Sequence, residues 1–325
     1  MRVIVTGVAG FIGSVCAAVL LDRGVKVLGL DNINDYYTTT LKYSRLEKLE
    51  GRNGFSFIKL DLAEVESTTK TIVDWQPDVI IHLAAQAGVR ASAERPFDYV
   101  KSNLVGHVVV LEATRKLPGL KQLVYASSSS VYGNRSDGAF KETDRVDTPQ
   151  SLYAATKRAD ELMTGVYCDA YGLSATGLRF FTVYGPQGRP DMAYWTFAER
   201  MLGGLPITAY DGGRLKRDFT FVDDIVSGIL MVIDNPPQFG QHRLYNLGNN
   251  KPQSVTALIS ALEVSLGVKA VIIDAPKPSY DVETTYANTD AMYQDFGWHP
   301  TTSLSDGIAA FSHWFLEWRE AQARI

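Results

Sequence analysis

Tyr153 and Lys157, four residues apart, are the side chains of this sequence whose types and spacing most suggest catalysis. In a helix, this spacing places the phenol and the ammonium on one face. A free tyrosine is a poor base at neutral pH. A neighbouring ammonium favours the phenolate and so makes proton transfer practicable. The serine-rich run 127–133 precedes the pair, and we expect Ser128 to contact the reacting oxygen. The pattern predicts general acid–base chemistry.

A glycine-rich segment, Thr6-Gly-Val-Ala-Gly-Phe-Ile-Gly13, follows the first β-rich run and opens the first helical pattern. Gly7 permits a tight turn, Gly10 lets the main chain approach a pyrophosphate, and Gly13 allows close packing of helix on strand. The N–H groups around Phe11 and Ile12 would donate to that pyrophosphate from the helix N-terminus. The segment therefore predicts a dinucleotide site.

Asp31 ends the second predicted strand, where its carboxylate can accept hydrogen bonds from both adenosine ribose hydroxyls. A carboxylate there would repel a 2′-phosphate, which favours NAD over NADP as the cofactor. Further residues that we expect around the cofactor lie at or near other strand ends: Asn32, Asp61, Leu62, Leu83, Ala84, Ala85 and Asn103, together with Tyr153 and Lys157.

The elements that must position these residues are predicted by apolar periodicity. Near-continuous runs of Val, Ile and Leu are typical of strands buried on both faces of a parallel sheet. We predict strands at 3–6, 25–31, 55–60, 79–83, 122–127 and 174–180, and helices at 11–23, 41–49, 64–75, 98–116 and 152–171. This alternation predicts an α/β fold with a doubly wound, Rossmann-like parallel sheet.

After residue 184 the segments shorten and Gly/Pro clusters appear, which predicts a smaller C-terminal substrate-binding lobe. We expect a helix at 223–234 and a strand at 244–247. The predicted division is a dinucleotide-binding domain at 1–180, to which segments around 222–250 return, and a substrate lobe comprising mainly 181–325.

Composition narrows the classes of partner. A net charge of −4 without a long run of one sign argues against nucleic acid or an anionic membrane as a ligand. No apolar stretch is long enough to predict a membrane span. Two cysteines, Cys16 and Cys168, offer no disulfide framework, so we expect a cytoplasmic protein. The five histidines have no metal-ligand spacing, and we predict no metal site.

With these motifs in place, the chain resembles the extended short-chain dehydrogenase/reductases that act on nucleotide sugars, and among them the UDP-glucuronate 4-epimerases. The resemblance extends over nearly the whole chain. It is strongest in the glycine-rich segment, the serine loop, the Tyr153/Lys157 pair and the segments 31–37, 179–186, 188–193 and 217–224. The segment Gly188-Arg-Pro-Asp-Met-Ala193 is the most selective of these.

The resemblance implies a redox cycle with no net oxidation, in which Tyr153 takes the proton of the sugar 4-hydroxyl while hydride passes to NAD. A 4-keto sugar then turns over and receives the hydride on its other face. It also implies roles for five further residues: Ser129, Thr182 and Arg189 would hold the sugar carboxylate, Arg217 would meet the diphosphate, and Asp281 would contact the nucleotide. Finally, it implies a homodimer formed through the helices 98–116 and 152–171.

Three alternative functions stay open. A UDP-galactose/UDP-glucose 4-epimerase would need no cation facing C6. A UDP-glucuronate decarboxylase would use the same keto intermediate, but related decarboxylases and dehydratases carry Asp or Glu where this chain has Ser128-Ser129-Ser130. A dinucleotide or sugar-nucleotide sensor would share the fold without catalysis, because fold alone does not determine function.

Overall fold

The computed structural model describes residues 1–135, 138–277 and 283–323. The strands are β1 Arg2–Thr6, β2 Lys26–Asp31, β3 Phe55–Lys59, β4 Val79–His82, β5 Gln122–Ser128, β6 Ala175–Phe180, β7 Thr182–Tyr184, β8 Ile207–Tyr210, β9 Lys216–Arg217, β10 Phe219–Phe221, β11 His242–Leu247, β12 Gln253–Ser254 and β13 Ile272–Ala275. The α-helices are α1 Phe11–Asp22, α2 Thr39–Glu47, α3 Val65–Trp75, α4 Ala91–Glu94, α5 Pro96–Tyr99, α6 Gly106–Thr114, α7 Leu152–Tyr171, α8 Ala193–Leu202, α9 Val222–Asp234, α10 Val255–Leu266, α11 Asp290–Phe296 and α12 Leu304–Ala323.

Seven parallel strands form the central sheet, in the order β11-β6-β5-β4-β1-β2-β3. The middle strands are apolar along their length and buried on both faces, as helices on the two sides of a parallel sheet require. The chain winds outward from β1 in both directions, and this arrangement confirms the predicted α/β Rossmann-like class.

Helices cover both faces of this sheet. On one face, α1 and α9 pack over residues such as Val3 and Val5. On the other face, residues of α3, α6 and α7 pack over Ile4 and Ile80. The strand β11 pairs with β6 and so adds a late segment of the chain to the edge of the first sheet.

The predicted helix 98–116 is not one regular helix. It is divided into α5, a π-helical segment Val100–Val105, and α6. A π-helical segment inserts a wider turn that changes the direction of a side chain. Here the buried residue is Asn103, which contacts the loop after β4.

A second core lies beyond the main sheet, in the C-terminal region. Aromatic residues of α8 and α12, among them Trp195, Phe311 and Phe315, pack with Leu258 and Leu262 of α10. Three two-stranded sheets accompany this core: β10 with β7, β12 with β9 and β13 with β8. Across the described ranges, no helix is both long enough and apolar enough to cross a membrane.

Candidate active site

A cavity lies at the carboxyl ends of β1, β2, β4 and β5, the edge where open parallel sheets bind ligands. It brings together sixteen of the residues singled out from the sequence. These are Gly7, Gly10, Phe11, Ile12, Gly13, Asp31, Asn32, Asp61, Leu62, Leu83, Ala84, Ala85, Ser128, Tyr153, Lys157 and Arg189.

The glycine-rich loop is shaped by close main-chain contacts. Gly7 has φ of +70°, and a Cβ there would lie 2.8 Å from the nitrogen of Ala84. A Cβ on Gly10 would lie 2.8 Å from the Gly7 oxygen, and one on Gly13 only 2.2 Å from the same atom. A larger residue at Gly10 or Gly13 would push the start of α1 away from the loop, and one at Gly7 would push the loop away from the segment after β4. The tight loop leaves the N-terminus of α1 open to the cavity, as a pyrophosphate requires.

Two carboxylates follow the next strands. The Asp31 carboxylate accepts hydrogen bonds from the N–H groups of Ala9 at 3.0 Å and Ile33 at 2.8 Å, and burial raises its pKa despite these bonds and nearby cations. Asp61 accepts one hydrogen bond from Ala63 N–H and pairs with Lys101 of the π-helical segment at 2.8 Å. Each carboxylate is thus fixed in place while still facing the cavity.

Asn103 does not line the cavity, but it holds the part that does. Its side-chain oxygen accepts a hydrogen bond from Gln86 N–H at 2.8 Å. Its amide nitrogen donates to the Gln86 carbonyl at 3.0 Å and to the Thr156 hydroxyl at 2.9 Å. The side chain therefore ties the loop after β4 to the catalytic helix.

Tyr153 and Lys157 lie in the first turns of α7, and the cavity contains both. Ser151 caps this helix, because its hydroxyl accepts the Ala154 N–H at 3.1 Å. The Tyr153 ring meets the Tyr99 ring edge-on, with centroids 6.1 Å apart. The Lys157 ammonium is buried and donates to the Asp160 carboxylate at 3.0 Å. The phenol and the ammonium thus share one helical face, as their spacing predicts.

The serine-rich run 127–133 follows from the end of β5, and hydrogen bonds with buried charged residues hold it in place. The Ser128 hydroxyl accepts the Ser130 N–H at 3.2 Å, which starts a 3₁₀ turn, and Ser128 lines the cavity. Ser127 donates to Glu161 at 2.6 Å. Glu161 is paired at 2.8 and 2.9 Å with the buried Arg179 guanidinium, and its pKa lies below the usual range because these bonds outweigh burial. Sequence reasoning missed this support.

Arg189 contributes a cation to the cavity wall, although it is distant in sequence from the glycine-rich segment. Its guanidinium donates to Asp191 at 3.0 and 2.5 Å and to the Ala87 carbonyl at 3.0 Å. It also lies 6.0 Å from the Tyr36 ring centroid. Although it lies in a loop, its side chain is only 22% exposed. Its bonds to Asp191 and Ala87 use Nε and Nη2, so the N–H groups of Nη1 are the donors that Arg189 can offer to a ligand carboxylate.

Arg45, which sequence reasoning also missed, connects the two sides of the site. It is 1% exposed. It donates to the Ala9 carbonyl in the glycine loop at 2.9 Å, to Gln187 at 3.0 and 2.6 Å, and to Gly188 at 2.8 Å. The carbonyls of Gln187 and Gly188 immediately precede Arg189. In the sequence, Arg45 is one of several basic residues in a predicted helix, and nothing in the pattern indicated that its side chain is buried at the site.

Three of the remaining predicted substrate residues, Ser129, Thr182 and Arg217, lie outside the cavity lining. Ser129 begins the 3₁₀ turn after β5, and Thr182 pairs with Phe219 between β7 and β10. Arg217 ends β9, where it donates to the carbonyls of Lys216 and Glu283. Asp281 lies outside the described residues. The roles of these four residues stay predictions.

Two histidines lie buried behind the cofactor side. His82 ends β4 and its Nδ1 lies 2.8 Å from the Thr6 hydroxyl, while the centroid of the tilted His107 ring lies 5.2 Å from that of the His82 ring. Burial lowers the pKa of His82 to about 3, with the Lys157 charge contributing. Burial also lowers the pKa of His107, whose ring bonds Thr164 at 2.9 Å. Both rings are therefore neutral at physiological pH.

The donor set fits a dinucleotide. Glycines leave room for a pyrophosphate at the helix N-terminus, a carboxylate follows β2, and Ala84 and Ala85 leave a flat main-chain surface after β4. When bound, NAD supplies a hydride acceptor and donor beside the catalytic pair.

Comparison with known proteins agrees with this geometry. The model of the NAD dependent epimerase/dehydratase family matches residues 3–248. The chain is 46% identical over 332 residues to UDP-glucuronate 4-epimerase 2 of Arabidopsis thaliana, covering 97% of this chain and 76% of that protein.

Among solved structures, the fold matches UDP-glucuronic acid 4-epimerase from Bacillus cereus in complex with UDP-glucuronic acid and NAD. The TM-score is 0.91 at 33% identity, over 98% of this chain and 100% of that one. It also matches the UDP-glucose 4-epimerase of Thermus thermophilus in complex with NAD, with a TM-score of 0.86 at 31% identity, over 97% and 99% of the two chains.

These matches confirm the resemblance inferred from the motifs, the enzyme class and the cofactor. The chain belongs to the NAD-dependent epimerase/dehydratase family, and it is an enzyme of that family with NAD as its cofactor.

Proposed function

We propose that this enzyme interconverts UDP-glucuronate and UDP-galacturonate by inverting the configuration at C4. The observation that carries the proposal is the Arg189 guanidinium, which lines the same cavity as Tyr153 and Ser128. A sugar with a carboxylate at C6 needs a fixed cation at the reacting end of the site, and a neutral hexose does not. The similarity to UDP-glucuronate 4-epimerases supports the same substrate.

In this proposal the protein supplies proton transfer and orientation. Tyr153 removes the proton of the 4-hydroxyl and later returns it. Ser128 donates a hydrogen bond to the C4 oxygen as its charge changes. Lys157 favours the phenolate and bonds the nicotinamide ribose. Each of these groups faces the cavity, and the helix cap at Ser151 fixes the turn from which Tyr153 projects.

The sugar carboxylate also decides which product forms. A 4-keto-glucuronate is a β-keto acid and loses carbon dioxide when its carboxylate can align with the carbonyl π system. A guanidinium that holds this carboxylate charged and out of alignment protects the intermediate. Arg189 fits this restraint because its own bonds to Asp191 and Ala87 already fix its plane.

The other site residues complete the proposal. Residues 1–180, with returning segments around 222–250, would bind NAD, and 181–325 would mainly bind the UDP-sugar. Ser129 and Thr182 would reach the carboxylate, and Arg217 and Asp281 the nucleotide. A homodimer stays a prediction, and exposed apolar residues on α7, Leu162 at 55% and Val166 at 61%, support a contact there.

A UDP-galactose/UDP-glucose 4-epimerase is the second candidate. The similarity to the Thermus thermophilus UDP-glucose 4-epimerase favours it. Such an enzyme would bind NAD with the same residues, so only the residues that contact the sugar distinguish the two functions.

The test is incubation of the purified enzyme with UDP-glucuronate or UDP-glucose, without added NAD, followed by NMR of the sugar. We expect UDP-galacturonate from the first substrate and little product from the second. A pentose product would select decarboxylation, conversion of UDP-glucose alone would select the second candidate, and no product would favour a sensor. Tyr153→Phe is the control, and we expect its rate to fall by about a thousandfold.

A further inference from the structure

Lys157 and Asp160 form an ion pair inside the protein, one turn apart on α7. The Nζ to Oδ2 distance is 3.0 Å, and the side chains are 4% and 1% exposed. Neither sequence reasoning nor the catalytic scheme above uses Asp160. A buried carboxylate is costly unless a partner compensates its charge, so this one needs an explanation.

The Asp160 carboxylate is committed to Lys157. Its other oxygen, Oδ1, is buried and has no hydrogen-bond partner among the described residues. The neighbouring carboxylate, Glu161, contacts Ser127, Arg158 and Arg179 instead. The two acidic groups therefore serve separate cations, although they are adjacent in the helix.

The histidines and the tyrosine near Asp160 carry no charge that could replace Lys157 as its partner. From α6, His107 reaches the same turn through the Thr164 hydroxyl, which donates to the Asp160 carbonyl. From β4, the His82 ring contacts His107 at a tilt, and from β5 the Tyr125 ring meets His107 edge-on. Burial holds both histidines neutral and raises the pKa of Tyr125. Lys157 is thus the cation that Asp160 faces, while burial and, to a lesser degree, the adjacent Glu161 carboxylate raise the pKa of Asp160.

We infer that Asp160 is a positioning residue for the catalytic pair: its carboxylate fixes the Lys157 ammonium on the face of α7 that carries Tyr153 and offsets part of its positive charge. The inference rests on the catalytic roles proposed for Tyr153 and Lys157. It predicts that Asp160 controls how strongly the ammonium stabilises the phenolate, and therefore the pH range of proton transfer.

The direction of the effect follows from Coulomb's law. Removal of the carboxylate leaves the ammonium uncompensated, which favours the Tyr153 phenolate and moves the acid limb of the rate profile to lower pH. Burial raises the pKa of Asp160 to about 6, so the wild-type pair changes its charge within the accessible pH range. A variant without the carboxylate loses that change.

The experiment compares wild type, Asp160→Asn, Asp160→Ala and Asp160→Glu, each as the NAD-loaded enzyme. Three readouts are taken: kcat for UDP-glucuronate from pH 5 to 9, the near-ultraviolet phenolate absorbance that Tyr153→Phe removes, and NAD retained after gel filtration. For Asp160→Asn we expect the acid limb and the phenolate titration to move down by about half a pH unit or more. Its plateau rate should fall by about tenfold because Lys157 is less well held.

Asp160→Ala removes the same charge with the residue that best suits a helix interior, so it covers the case in which Asp160→Asn does not fold. It should give the same shift, and Asp160→Glu should restore the wild-type limb. An equal loss of rate at every pH, with an unmoved phenolate titration, would show a merely structural role and overturn the inference. If Tyr153→Phe stays active, it is the proposed catalytic assignment that fails, and this result is distinct from an unmoved limb in an enzyme that needs Tyr153.

Discussion

The cofactor half and the sugar half of the cavity are built differently. The cofactor half consists of main-chain turns at the ends of β1, β2 and β4. At Gly7, Gly10 and Gly13, neighbouring main-chain atoms lie so close that there is no space for a Cβ atom. The sugar half depends on a long side chain, Arg189, which projects from a loop and is fixed by its bonds to Asp191 and Ala87.

This difference predicts how each half responds to change. The main chain of a buried turn contacts many other atoms, so a substitution that displaces it affects folding and cofactor retention together. A side chain on a loop can be exchanged with little effect on the fold, so specificity can change while the chemistry is kept. The three substitutions below test this contrast, from the largest expected effect to the smallest.

Gly13→Ala should be the most damaging, because its Cβ would lie 2.2 Å from the Gly7 oxygen. Main-chain atoms cannot move away as a flexible side chain can, so α1 must shift from the loop. We expect a loss of about 1–3 kcal/mol in the free energy of unfolding and at least a tenfold loss of retained NAD. Urea unfolding and the NAD content of the purified protein measure both.

Gly119→Ala is the matched control, since a Cβ at that position meets no atom within 4 Å. It should leave NAD content and stability near the wild-type values. Full NAD retention in Gly13→Ala would contradict the view that main-chain contact builds the cofactor half.

Arg189→Ala should act on the sugar alone. Loss of charge-assisted hydrogen bonds to the substrate carboxylate costs about 1.5–3 kcal/mol each, so kcat/KM for UDP-glucuronate should fall by about a hundredfold. The NAD content should not change, because Arg189 touches none of the glycine loop in the described contacts. Steady-state kinetics and NAD absorbance give the two values.

Arg145→Ala removes a surface guanidinium that is 88% exposed and pairs with Asp147, and it should behave as wild type. An unchanged rate in Arg189→Ala would remove the carboxylate contact from the proposal. Loss of NAD in the same variant would show that the two halves are less separate than their construction indicates.

His82→Asn should have the smallest effect, confined to acid. Burial lowers the pKa of His82 from 6.5 to about 3, so its contribution to stability is present above pH 6.5 and is lost as the pH falls toward 3. Wild type should lose up to about 1.4 kcal/mol per pH unit through this one group. Asn can keep a hydrogen bond to Thr6 without taking up a proton, so its loss should be smaller.

Urea unfolding at pH 7, 6 and 5 measures this slope. The exposed His313 is the control, because His313→Asn should leave the slope as it is. Equal slopes in wild type and His82→Asn would show that this acid sensitivity does not arise from His82.

The sequence was sufficient for features that follow from local pattern. The parallel sheet, the glycine loop and the Tyr153/Lys157 face depend on spacing along one strand or one helix, and the structure confirms the fold class. Asn103 was placed near the cofactor, but its role as a tie between Gln86 and Thr156 needs the π-helical segment, which no periodicity indicated.

Long-range contacts could not be predicted. Arg45 and the pair formed by Glu161 and Arg179 have partners far apart in sequence, and charged residues at such positions usually face water. Asp160 lies only three residues from Lys157, but its burial depends on tertiary packing that the local pattern does not show. The prediction of a single helix at 98–116 was wrong for a related reason, because the local pattern does not show the π-helical segment or the tertiary hydrogen bonds that Asn103 makes from it.

Arg45 has a consequence for how this enzyme can vary. One guanidinium sets the spacing between Ala9 and the carbonyls that precede Arg189, so neither loop can be displaced by more than a hydrogen-bond length without breaking buried bonds. Insertions or deletions in the loop around residue 188 must therefore preserve the path of two carbonyl groups, whatever else they change. New sugar preferences can arise through the side chains of that loop that face the cavity, but a change in its length would also disturb the dinucleotide.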